Sequence, residues 1–143
     1  MIDTGRRLFI AASLTVCASA CLGDTLFSPI DVGQPPPGKA LVVFYRTSKY
    51  LAGPLSYIVR EGNVRLGRLS SGTYFIATVA PGLHTFTVHA ERHNDMQMIL
   101  EAGETYFARF DLETGFLLWQ PNLIPTDQRQ FDQSSAHLKL SKP

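Results

Sequence analysis

The amino-acid sequence predicts an all-β domain, an antiparallel sandwich of immunoglobulin-like or transthyretin-like shape with about seven to eight strands and a short C-terminal helical turn. Three observations carry this expectation. The 143 residues include 9 Phe and 5 Tyr, among many Val, Ile and Thr, and such side chains suit a pleated, half-buried surface. Turn formers recur throughout, with 11 Gly and 9 Pro, at the spacing of short strands rather than helices. Between them lie short runs in which apolar and polar residues alternate. The apolar fraction of 45% is ordinary for one globular domain.

Residues 1–20 read as an address rather than as fold. Arg6 and Arg7 give a positive start, Leu8 to Val16 is apolar, and Ala18-Ser19-Ala20 is a small-residue cleavage site. A membrane-spanning helix needs about 20 apolar residues, and Asp24 interrupts this run too soon. Cleavage removes Arg6, Arg7 and Asp3, taking the 13 basic residues to 11 and the 12 acidic residues to 11. A neutral mature chain lacks the Lys/Arg excess that displaces counterions from nucleic-acid phosphates, so nucleic acid is not an expected partner.

Of the 2 cysteines, Cys17 lies inside the leader and leaves with it, so no internal disulfide is expected. Cys21 follows the cut directly, and an odd thiol in an exported chain calls for an explanation. Ala18-Ser19-Ala20-Cys21 resembles the lipobox of bacterial lipoproteins, although Ala18 stands where Leu is commonest. That resemblance implies acylation of Cys21, palmitate among the chains, which would hold the protein stably on a membrane. In such families, a residue other than Asp at position 22 implies the outer membrane over the inner, facing the periplasm. Residues 21–39 then read as a tether, with Pro35-Pro36-Pro37 favouring an extended, semi-rigid course. The sandwich is expected over residues 40–143.

Ala40 to Tyr45 is a near-continuous apolar run, as in a central strand buried on both faces. Arg46 to Pro54 is a loop ending in Gly53-Pro54. Ser56 to Arg60 and Val64 to Leu69 form a hairpin about Glu61-Gly62-Asn63, where Gly and Asn supply the positive φ of tight turns. Val64 and Leu66 share a parity that Leu69 breaks, so a bulge at Gly67 is expected to restore the register. Ser71-Gly72 turns the chain into a strand from Thr73 to Val79, and Ala80-Pro81-Gly82 into one from Leu83 to Ala90. Asn94-Asp95 is expected to turn into Met96 to Leu100, Ala102-Gly103 into Thr105 to Leu112, and Thr114-Gly115 into Phe116 to Trp119. In the tail from Pro121, Thr126-Asp127 caps a short polar turn around Gln128 to Asp132, and His137 to Leu140 adds an edge strand.

The stretch Tyr57 to Val88, with Glu61-Gly62-Asn63, the Val64 to Leu69 arm, Gly72-Thr73-Tyr74-Phe75 and Pro81-Gly82-Leu83-His84, resembles a bacterial family of uncharacterised exported β-sandwich domains related to PEGA-like envelope modules. Leu41 to Arg46 and Ala102 to Tyr106 extend the likeness to about residues 40–112. It implies a fold and an envelope location. It brings no catalytic residues, because fold alone does not give function.

Four side chains could bind metal. His89, His93, Met96 and Met98 flank the expected Asn94-Asp95 turn, and imidazole with thioether suits Cu(I) in a soluble periplasmic protein. The competing reading has methionines filling the core and histidines in solvent. Nucleophilic catalysis lacks a Gly-x-Ser-x-Gly elbow. Glu101, Glu104, Asp111 and Glu113 read as solvent-facing charges rather than the paired carboxylates of a glycosidase, leaving a small hydrolase as the last alternative. The expectation is therefore a non-enzymatic binding or structural module without a cofactor, on a membrane through Cys21 and open to an envelope protein partner. Tyr45, Tyr50, Tyr57, Phe116 and Trp119 are the aromatics available to an interface, with Tyr50 and Trp119 favoured.

Overall fold

All seven residues of β1 (Ala40–Arg46) are buried, because both faces and both edges of this strand are covered. The computed structural model describes residues 29–48, 54–89, 93–114 and 119–142. On one edge β1 pairs antiparallel with β4 (Thr73–Val79), Ala40 opposite Val79. On the other it pairs parallel with β7 (Thr105–Thr114), Leu41 opposite Thr105. Beyond β7 lies β8 (Trp119–Thr126), antiparallel, and beside β4 lies the two-residue β9 (Lys139–Leu140), parallel. The second sheet runs β3 (Val64–Leu69), β2 (Tyr57–Glu61), β5 (Gly82–His89), β6 (His93–Leu100), and is antiparallel throughout.

The first sheet is thus mixed, not wholly antiparallel as expected. After β4 the chain crosses to build β5 and β6 in the other sheet, and it returns to the free edge of β1 in the parallel sense.

Alternation along β1 divides the core in two. Ala40, Val42 and Phe44 face the second sheet; Phe44 stacks on its β4 neighbour Phe75 at 5.1 Å and meets the edge of Phe86, from β5 of the second sheet, at 5.1 Å and 76°. Burying each such ring contributes about 1.5–3 kcal/mol. Val43 and Tyr45 face the other way, into a second cluster with Phe107, Leu138 and Phe131. Phe131 belongs to α1 (Gln128–Ser135), which lies over the back of the five-stranded sheet. Its ring sits among Tyr45 at 5.2 Å, Phe107 at 5.2 Å and Tyr74 at 6.0 Å.

The helix begins as its sequence predicts, since the Asp127 carboxylate accepts the Gln130 N–H at 2.8 Å and satisfies an end donor. It is a full helix through Ser135 rather than a short turn. The docked part of the expected tether also belongs to this layer: Ile30 and Val32 pack on the second cluster.

Two turn expectations shift. Asn94 and Asp95 lie inside β6, opposite Val88 and Thr87, because β6 starts at His93 rather than Met96. The last long strand runs through Pro121 and Pro125 rather than ending at Trp119. Both prolines are tolerated because β8 is an edge strand, where a missing N–H leaves no partner unsatisfied.

Single side chains close both open sides of the sandwich. On one side the Asn94 side chain accepts the Leu123 N–H at 3.2 Å and donates to Asn122 Oδ1 at 3.2 Å, joining β6 to β8. On the other, the Ser141 hydroxyl donates to the Arg68 carbonyl at 2.6 Å, just after β9, and so joins it to β3.

Candidate functional site

The back of the five-stranded sheet is covered by α1 and the 30–32 segment, and among the described residues the outer face of the four-stranded sheet is the broad surface left to solvent. Val59, Phe86, Val88 and Met96 point inward, which places their strand neighbours outward. Arg60 and Thr87 form a cross-strand pair, and the row continues to Arg65 on one side and Asp95 on the other.

A bulge sets what this face displays. Val59 pairs with Gly67 but Arg60 pairs with Arg65, so Leu66 is an extra residue in β3. In an unbroken strand, residues three apart face opposite ways. Here the shift brings Arg65 and Arg68, which pair with Arg60 and Ile58, onto the same outer face. Gly67 permits it, since a Cβ there would fall 2.6 Å from the Phe75 ring.

Arg65 and Arg68 are exposed and Arg60 is half-buried. No carboxylate pairs with any of the three among the described residues. Like charges directly opposite on a sheet are unfavourable, so the Arg60–Arg65 pair costs the free domain some stability. Asp95 is at the far edge and accepts a hydrogen bond from the Thr87 hydroxyl at 2.7 Å. On this face, near the Gly82 end, the cross-strand pair Leu83 and Ile99 stands 66% and 73% exposed.

Other ionisable groups serve the fold. His84, from the Pro81-Gly82-Leu83-His84 turn, meets the Glu61 carboxylate through Nδ1 and the Ala80 carbonyl through Nε2 at 2.6 Å, and stacks on Phe86. Arg46 is buried between the rings of Tyr57 and Phe110, its carbon 5.5 Å from each centroid, and donates to the Leu55 carbonyl at 2.5 Å. Burial lowers its pKa, while Tyr57 and Asp111 act in the opposite direction. Glu113 accepts from the Asn122 amide at 2.9 Å.

The expected copper ligands do not converge. Met96 is buried among core residues and Met98 packs against that core, whereas His89 is exposed on the opposite face of the sheet. His93 holds the register position opposite His89. A site drawing on all four would have to pass through the sheet, because even positions of β6 face inward and odd positions of β5 outward. Among the described residues no group of three or more His, Cys, Asp or Glu could hold a metal ion.

Tyr45 is buried, and Tyr57 is partly buried against the core, its ring 4.7 Å from that of Phe110. Trp119 opens β8 opposite Thr114. Tyr50, Phe116, the cleavage residues Ala18, Ser19 and Ala20, and Cys21 lie outside the described residues. The arginine triad went unnoticed in the sequence because Arg65 and Arg68 have opposite parities in it. The bulge expected at Gly67 was the signal that could have united them.

Fold and face together define a small mixed β-sandwich with a helix-covered back and an open, basic front. The chain belongs to the family described as protein of unknown function (DUF2846), whose model matches residues 36–118. That match carries no link to PEGA-like modules. No curated protein and no solved structure matches the chain. Among the described residues no helix is long and apolar enough to cross a membrane.

Proposed function

We propose that the protein is a cell-envelope lipoprotein, exported and acylated at Cys21, whose sandwich is a non-catalytic binding or structural module held beside a membrane. One observation carries this reading: Arg6-Arg7, an apolar run and Ala18-Ser19-Ala20 precede a cysteine that is the only one after residue 20. The geometry of the domain fits it. Ile30 and Val32 are docked on the back of the sheet, so Leu22 to Ser28 is the span left between Cys21 and the domain. Fully extended, that span reaches at most ~30 Å, which would keep the sandwich close to the lipid surface.

Mass spectrometry of the N-terminal peptide from the membrane fraction tests this. The expected peptide begins at acylated Cys21, and Cys21→Ser releases the chain from the membrane. A soluble chain with an unmodified Cys21 would sink the proposal.

A further inference from the structure

We propose that the outer face of the four-stranded sheet is itself a contact for an anionic phospholipid surface, with Arg60, Arg65 and Arg68 meeting headgroup phosphates and Leu83 with Ile99 entering the interface. This inference stands on the sheet face alone and does not require an acyl chain at Cys21.

Charge complementarity selects the occupant. The bulge in β3 gathers three guanidinium groups on one face, two of them directly opposite each other and none with a carboxylate partner among the described residues. That arrangement is unfavourable until an anion arrives. His89 is exposed on the same face, and the one acid that this face carries among the described residues, Asp95, sits at the far edge with Thr87.

The layout selects a surface over a single small anion. The arginines occupy two rows of an open sheet rather than converging on one point, since Arg65 lies opposite Arg60 and Arg68 opposite Ile58. Leu83 lies four residues along β5 from Thr87, roughly 13 Å at strand rise, and pairs with Ile99. Basic residues and protruding apolar side chains on one flat face are the composition of interfacial binding. A soluble polyanion has no use for the apolar pair.

The test is co-sedimentation of the full chain carrying Cys21→Ser with vesicles of phosphatidylcholine, with and without phosphatidylglycerol. Leader and tether are common to every variant, so differences report on the sheet face. Each arginine near an anionic surface is worth about fivefold, so Arg60→Gln, Arg65→Gln and Arg68→Gln together should lower binding to anionic vesicles on the order of a hundredfold. Leu83→Thr with Ile99→Thr should weaken the same binding. Lysine at the three arginine positions should preserve it.

Equal binding to both vesicles, or an unchanged triple glutamine variant, overturns the proposal. If that variant fails to fold, the lysine variant and a salt series on the parent decide. Retained binding with lysine, together with loss of the anionic preference at high salt, supports the contact, because screening weakens exposed charges. Indifference to salt overturns it. Tight binding of inorganic polyphosphate without binding of anionic vesicles also overturns it, in favour of a soluble polyanion.

Discussion

Replacing Gly67 by alanine isolates the device that shapes the outer face. The new Cβ would lie 2.6 Å from Phe75 Cδ2 and 2.7 Å from Cε2 and Cγ, about 1 Å inside ordinary carbon contact. The close approach reaches the root of the ring, so a small torsion does not relieve it. The ring cannot simply retreat either, because it is 7% exposed and stacked on fully buried Phe44. Overpacking of this kind costs about 1–3 kcal/mol, and alanine recovers about 0.5–1 kcal/mol by relieving the glycine penalty of a strand. The expected net loss is therefore about 1 kcal/mol, with an upper bound of roughly 2.5 kcal/mol. In a urea titration it would lower the midpoint by roughly 0.5–1 M. Phe75→Leu provides the control, since it opens space where the methyl must go. The two changes together should cost less than their sum by at least ~1 kcal/mol. A midpoint unmoved by Gly67→Ala, or strict additivity with Phe75→Leu, would refute the steric account.

Three further outcomes are expected. Asn94→Ala should strand the Leu123 N–H, on a residue only 4% exposed, at a cost of about 1–3 kcal/mol, with faster amide hydrogen exchange at Leu123; unchanged exchange there counts against the stitch. Phe131→Ala should cost about 3–5 kcal/mol and release α1, read as lost helical circular dichroism and earlier thermal unfolding. Burial raises the Tyr45 pKa above its ordinary value, outweighing the lowering effects of Thr126 and Arg109. A raised folded-state value favours the neutral phenol, so its contribution is intact below about pH 10 and drains as pH climbs through the folded-state pKa. Tyr45→Phe should therefore flatten the alkaline fall in stability, and an identical slope would rule that origin out.

Strand positions were legible wherever a face alternates cleanly, as along Thr73–Val79, and wherever glycine marks a turn, as at Gly62 and Gly103, both with positive φ. The full burial of β1 was also legible, but what covers its back was not. That cover is assembled from Ile30, Val32, Phe131 and Leu138, isolated apolar residues in polar or proline-bearing stretches without periodicity. The Asn94-Asp95 pair looked like a turn because both residues favour turns. In the fold Asn94 stitches the sheets and Asp95 caps a row of the outer face, so tertiary roles override local preference. The arginine triad escaped for a different reason. Leu69 breaking the parity of Val64 and Leu66 signals the inserted residue, but which outer side chains that residue unites shows only once both flanks of β3 are paired with β2.

The parallel pairing of β1 with β7 bears on when the domain can form. The strand at the centre of both cores cannot acquire its second neighbour until Thr105–Thr114 exists and is free to move. Hairpins such as β2–β3 close within microseconds, but a sheet whose middle strand waits for a distant segment folds in milliseconds to seconds. A chain emerging from its N-terminus therefore carries an apolar Ala40–Arg46 segment that stays unsheltered until most of the domain has followed it.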